Sequence, residues 1–175
     1  MSLFTTERLY VKHLDIQDKT SFIELLADPD IINQVPQAEF SEQEISDRFK
    51  KGVNLNTNPL SNIKNYWGIY KIGSTELIGL TMLLTNDEGD RELGYRFRTH
   101  VWGKGYGKEI AKGTIHYCFK TLGLKKLTAD ADIKNIASIK ILSLFFIPEK
   151  LIENSLSTDQ RFVITSDQFY KSDQK

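Results

Sequence analysis

Three glycines, at positions 103, 105 and 107, sit between an alternating stretch and an amphipathic one. Leu93, Tyr95 and Phe97 alternate with Gly94, Arg96 and Arg98, which is the period of a strand. Beyond the glycines, Ala111, Ile115, Cys118, Phe119 and Leu122 recur at helical spacing, and Gly123 stands where a helix-ending glycine belongs. Strand, glycine turn and helix together suit an anion. The first N–H groups of a helix have no intrahelical partner and carry partial positive charge. Glycine removes the side chains that would hold a phosphate away. Lys104 and Lys108 place cations beside the turn, where they can neutralise phosphate. Two other residue groups could do chemistry nearby. Glu92 opens the strand, at the end of the acidic run Asp87, Glu88, Asp90, and Ser138 follows Asn135 by three positions.

Two common phosphate motifs do not fit. A Walker loop needs Ser or Thr after Gly-Lys, but Gly103-Lys104 is followed by Gly105 and Gly107-Lys108 by Glu109. A dinucleotide fingerprint counted from Gly103 needs its third glycine at Lys108. Asp130 or Asp132 could still mimic a ribose-binding carboxylate, so nucleotide binding stays as a third reading.

The residues Trp102-Gly-Lys-Gly-Tyr-Gly107, preceded by Leu-Gly-Tyr-Arg-Phe, resemble the acyl-CoA pyrophosphate loop of the GNAT acetyltransferase superfamily, Arg/Gln-x-x-Gly-x-Gly/Ala. Trp102 takes the Arg/Gln position, as in the branch that includes the ribosomal-protein N-terminal (alanine/serine) acetyltransferases. Residues 6–9 resemble that branch's opening strand, 27–36 its first helical region, and 135–142 its Asn-x-x-Ser helix. The resemblance implies a mixed α/β fold: a mostly antiparallel central sheet of six to seven strands, flanked by helices. It implies that acetyl-CoA, as co-substrate, delivers an acetyl group to a primary amine by direct attack within a ternary complex. The acceptor is a protein N-terminus or a small-molecule amine. The implied cofactor contacts are the bulged backbone at Tyr95, Arg96 and Phe97, the turn from Trp102 through Gly103, Lys104, Gly105, Tyr106, Gly107 and Lys108, and Asn135 on the pantetheine amide. Glu92 is the expected base, and Ser138 the expected acid or sulfur-orienting hydroxyl. Many superfamily members carry a tyrosine acid where this chain has Leu142, and the usual Lys-Leu-Gly-Phe reads Ser143-Leu-Phe-Phe here. These departures support a second reading, a non-catalytic acyl-CoA-binding or regulatory domain of the same fold.

These residues need elements to position them. Residues 8–14 alternate as a first strand, and 17–27 form an amphipathic helix ended near Pro29, with a short helical piece after Asp30. Ser41 with Glu44 is a capping box opening a helix to about Lys51, and the Asn-rich stretch 53–65 is a loop. Residues 66–71 and 77–85 pair as strands, and 86–90 turn into the central strand. Residues 125–132 come after the central helix, so strand, helix and strand make a right-handed parallel crossover. A helix over 136–145, stopped by Pro148, then precedes closing strands at 150–156 and 161–170.

The bulk properties narrow the class. The 175 residues suit one domain spanning 1–175. Lys+Arg and Asp+Glu are both 23, so the charge balance gives no support for a nucleic-acid or membrane partner. One cysteine excludes an internal disulfide, and no segment approaches a membrane span, so a cytoplasmic location is expected. His13, His100 and His116 lack metal-ligand spacing, and no metal is expected. A homodimer is left open.

Overall fold

The computed structural model describes residues 1–35, 37–55 and 57–173. Pro36, in the stretch matched to the family's first helical region, and Asn56, in the expected loop, lie outside the described residues. One sheet of eight strands runs through the molecule: β1 (Ser2–Thr5), β2 (Leu9–His13), β3 (Asn65–Lys71), β4 (Leu77–Thr85), β5 (Arg91–Phe97), β6 (Lys126–Asp132), β7 (Ile147–Glu153) and β8 (Thr158–Thr165). Their order across the sheet is β1-β2-β3-β4-β5-β6-β8-β7. The sheet exceeds the expected six to seven strands because β1, with no clear sign in the sequence, hydrogen-bonds along β2. Every pairing is antiparallel except β5 with β6.

Helices cover both faces. On one lie α4 (Tyr106–His116) and α5 (Ile136–Leu142), packed over a core that includes Trp67, Leu93, Ile110, Ile115 and Phe162. On the other lie α1 (Lys19–Ala27), α2 (Pro29–Gln34) and α3 (Glu42–Val53), whose core includes Phe22, Leu25, Phe49, Tyr70 and Leu80. Local chemistry sets the helix starts. Asp28 caps α2 by accepting from the Asp30 N–H at 2.9 Å, and Pro29 takes the first helical position, where no N–H is needed. Ser41 and Glu44 form the expected capping box on α3: the Ser41 N–H donates to Glu44 Oε2 at 2.8 Å. Helix α4 loosens at its end into a π turn over Tyr117–Thr121, and Gly123, at φ 67°, closes it.

The last quarter differs most from expectation. Helix α5 stops at Leu142 rather than residue 145, because the Leu142 carbonyl receives both the Phe145 and the Phe146 N–H and tightens the chain out of the helix. Pro148 therefore does not end that helix. It lies inside β7, an outer strand that tolerates a missing N–H, at a register shift between Pro148 and Lys150. The expected strand to residue 170 ends at Thr165, where Thr165 and Gln168 form a capping box and start α6 (Ser166–Ser172).

Strand β5 is regular on one side and open on the other. Its register with β4 runs without a shift from Gly79↔Phe97 to Thr85↔Arg91, so the expected bulge is absent. Its ladder with β6 is confined to Glu92↔Thr128. Beyond that point the two parallel strands have no ladder, and the inner edge of residues 94–97 has no strand partner there.

Candidate active site

The glycine turn lies just past that open edge. Gly103 has φ 73° and Gly105, the residue before α4, has φ 78°. Both lie in the left-handed region, where a side chain is strained. A Cβ at Gly103 would meet nothing within 4 Å, so that side of the turn is open. Gly107 has a different role: a Cβ there would lie 3.0 Å from Ile141 Cδ1, so its absence lets α4 approach α5. The N–H groups of Tyr106, Gly107 and Lys108 fall in the first turn of α4, ahead of the Glu109 N–H bond to the Gly105 carbonyl.

The turn is braced from the far end of the chain. Arg8 donates to the Lys104 carbonyl at 3.0 Å and from Nε to Glu109 Oε2 at 2.7 Å. Its guanidinium lies 4.7 Å from the centre of the Tyr106 ring. Thr6 donates to Glu109 Oε1 at 2.6 Å. These bonds, with the Arg8 charge, hold the Glu109 carboxyl below its ordinary range against the opposing effect of burial. Trp102 is 41% exposed and so is no core residue; its indole N–H donates to the Phe97 carbonyl at 2.9 Å.

Two cavities meet at the open edge of β5. One, of about 510 Å³, runs along the glycine turn and includes Phe97, Trp102, Gly103, Lys104, Gly105, Tyr106 and Gly107. The other, of about 250 Å³, opens toward α1–α3 and includes Glu92, Asp130, Arg96 and Arg48. Tyr95, Arg96, Asn135 and Ser138 line both. The structure thus brings together every expected site residue except Lys108, which lines neither cavity. Lys104 and Lys108 are exposed and make no ion pair among the described residues.

At the junction the Tyr95 hydroxyl lies 3.5 Å from Ser138 Oγ. Burial raises the Tyr95 phenol above its ordinary value, so it holds its proton at neutral pH. Asn135 places Ser138 by capping α5: its Oδ1 accepts from the Ser138 N–H at 3.1 Å. Its Nδ2 donates to the Gln34 carbonyl at 2.7 Å and ties α5 to α2. Both ends of the Asn135 amide are thus engaged within the protein. Leu142 is 2% exposed and lines the smaller cavity.

Glu92 is the perturbed acid. Its carboxyl is raised to about 7, first by burial, then by the neighbouring Asp130 charge, with Arg161 opposing. Arg161, 6% exposed, binds Asp130 through two bonds of 2.8 and 2.6 Å and reaches Glu92 Oε2 at 3.7 Å. The acidic turn before Glu92 is largely neutralised: Glu88 pairs with Lys150 and Arg161, and Asp90 pairs with Lys126 at 2.6 Å. The Asp130–Arg161 pair is not visible in the sequence. The two residues are register partners on β6 and β8, and that pairing leaves no local mark in the chain.

Residues 8–143 match the acetyltransferase (GNAT) domain family. This chain belongs to the GNAT acetyltransferase family. It is 27% identical over 157 residues to an uncharacterized N-acetyltransferase of Bacillus licheniformis, covering 88% of this chain and 87% of that one. Its fold is shared by the spermidine N-acetyltransferase of Vibrio cholerae solved with CoA and spermine, at TM-score 0.77, 17% identity, 93% of this chain and 98% of that one. The ribosomal-protein-S5-alanine acetyltransferase of Vibrio fischeri gives TM-score 0.76 at 18% identity, over 95% and 97% of the two chains. Among the described residues of this acetyltransferase, no helix is long and apolar enough to cross a membrane.

Proposed function

We propose that this acetyltransferase moves an acetyl group from acetyl-CoA to a primary amine by direct attack, the donor in the larger cavity and the amine in the smaller one. The observation that carries the reading is the meeting of the two cavities at Tyr95 and Ser138, with a bare glycine turn at one end and a half-buried carboxylate at the other. The fit of the carrier rests on this chain's own atoms. The turn at Gly103 and Gly105 and the first N–H groups of α4 suit a diphosphate. The edge of residues 94–97 that no strand covers, apart from the Phe97 carbonyl held by Trp102, offers backbone bonds to an extended amide arm.

When bound, acetyl-CoA supplies an activated acyl carbon, and transfer forms a C–N bond as the C–S bond breaks. Glu92 takes the proton of the incoming ammonium; a carboxyl near 7 is matched to that task at neutral pH. Backbone N–H groups on the open edge of β5 stabilise developing negative charge on the acyl oxygen. Ser138, backed by the Tyr95 hydroxyl, relays to the leaving sulfur the second proton, the one the newly acylated nitrogen sheds. This hydroxyl pair occupies the role open because Leu142 carries no acid. Titration calorimetry with CoA and a thiol-release assay with acetyl-CoA and an amine panel test the reading. Binding with amine-dependent CoA release is expected; no CoA binding would overturn it.

A further inference from the structure

Arg96 stands out among the charged groups of the smaller cavity. It is 9% exposed, yet no carboxylate among the described residues pairs with it. Its Nη1 donates to neutral oxygens, the Leu25 carbonyl at 3.2 Å and Gln37 Oε1 at 2.9 Å. Its Nε is buried and has no partner among the described residues. A buried cation left without an anion is costly, and folded proteins usually pair such groups. Arg161, also buried, shows the usual arrangement, with Asp130, Glu88 and Glu92 around it. Burial lowers the Arg96 guanidinium to about 10, which still leaves it charged at neutral pH.

The surroundings give the missing partner a shape. Arg96 and Glu92 point to the same face of β5, four residues or about 13 Å apart along the strand. A second guanidinium, Arg48 of α3, lines the same cavity and stacks 4.0 Å over Phe40. The cavity therefore has the Glu92 and Asp130 carboxylates, backed by Arg161, at one end and the Arg96 and Arg48 guanidiniums at the other, with Met82 on the wall between. A polyamine would place a cation against the guanidiniums. An amine that also carries an anion would satisfy both ends.

We propose that the acceptor is a small amino acid, its amine toward Glu92 and its carboxylate bound by Arg96 with Arg48 beside it. This inference rests on acetyl transfer as the activity and narrows its acceptor. Arg96 is a specificity-determining group here, and its charge-assisted bond to a carboxylate separates the acceptor from amines of the same length that lack one.

The test is a matched panel assayed for acetyl-CoA-dependent thiol release. It contains α- to ε-amino acids, each beside the amine lacking its carboxylate, together with spermidine and an amidated peptide. At least one amino acid should exceed its matched amine in kcat/KM by about tenfold to a hundredfold, the range for a hydrogen bond to a charged group. In Arg96→Gln that ratio should collapse toward unity; a structural role alone would slow all acceptors alike and keep the ratio. The wild-type ratio tests the inference even if the variant does not fold. Preference for the unsubstituted amines, spermidine or the peptide would overturn the amino-acid assignment and leave acetyl transfer standing. Transfer to no amine, with CoA still bound, would overturn the transfer reading and this inference with it.

Discussion

The two cavities that meet at Tyr95 are built from different materials. The larger centres on a contiguous stretch of backbone, Gly103, Gly105 and the first turn of α4, with α2 and α5 closing it from afar. The smaller gathers side chains from β4, β5, β6, α1 and α3, and the charge pair it does hold crosses a long separation, as Asp130 does with Arg161. A main-chain site tolerates change in side-chain type but not in backbone freedom. A side-chain site can change what it accepts with one substitution and keep its fold. The first suits a constant group and the second a variable one.

The contrast breaks most sharply at Gly105. Gly105→Glu puts a carboxylate on the turn proposed to hold the diphosphate and forces a side chain onto φ 78°, which it strongly disfavours. CoA affinity should fall by at least about a hundredfold, roughly 2.7 kcal/mol, as read by calorimetry. Thermal unfolding should show the fold retained. Unchanged affinity would mean that the turn does not hold the carrier.

Glu92→Gln tests the other cavity. It should lower kcat by about a hundredfold with CoA affinity unchanged, the reverse of the Gly105 pattern. The pH dependence has a definite sign. Glu92 is raised to about 7, so as the proposed base it is protonated and idle below that pH, and wild-type kcat/KM should rise with pH through about 7. The variant should lack that limb. The same shift bears on stability. A carboxyl raised on folding takes up a proton, so its ionised form destabilises the fold, a burden absent below about 4.3, the unfolded value, and complete above about 7. Glu92→Gln should therefore raise the melting temperature more at pH 8 than at pH 4.

Smaller effects belong to the junction and the rim. Ser138→Ala and Tyr95→Phe should each slow kcat by up to about tenfold, the scale of one hydrogen bond, with little change in KM for acetyl-CoA. If both variants turn over as wild type, water must reprotonate the sulfur. Lys104→Ala and Lys108→Ala should weaken CoA binding only a few-fold, an effect that fades as salt rises, because both amines are solvated.

The same division separates what the chain's letters reveal from what they hide. Gly103, Gly105, the period-two run of β5 and the stripe on α4 are local signals, and the structure carries each of them. Glu92 and Ser138 are reached by resemblance, and the fold sets them along one continuous space. Arg161 reads only as the start of a strand, because its partner Asp130 lies across the β6–β8 ladder. Arg96 reads for its backbone, since a lone arginine in a strand does not announce that its side chain will be buried without a counter-ion. Pro148 misleads because a proline after an apolar run signals a helix stop, whereas the backbone bonds to Leu142 have already turned the chain. The Thr165–Gln168 box is a local signal, masked by the apolar alternation that leads into it.

The bonds from Thr6 and Arg8 to Glu109 and the Lys104 carbonyl tie the opening of the polypeptide to a segment made about a hundred residues later. The glycine turn is thus not a self-contained cassette. A shortened protein starting at Leu9 would keep most of its sheet and lose the clamp, so its grip on the carrier would slacken without any glycine being touched. Grafting the turn and its helix alone onto another scaffold would fail for the same reason.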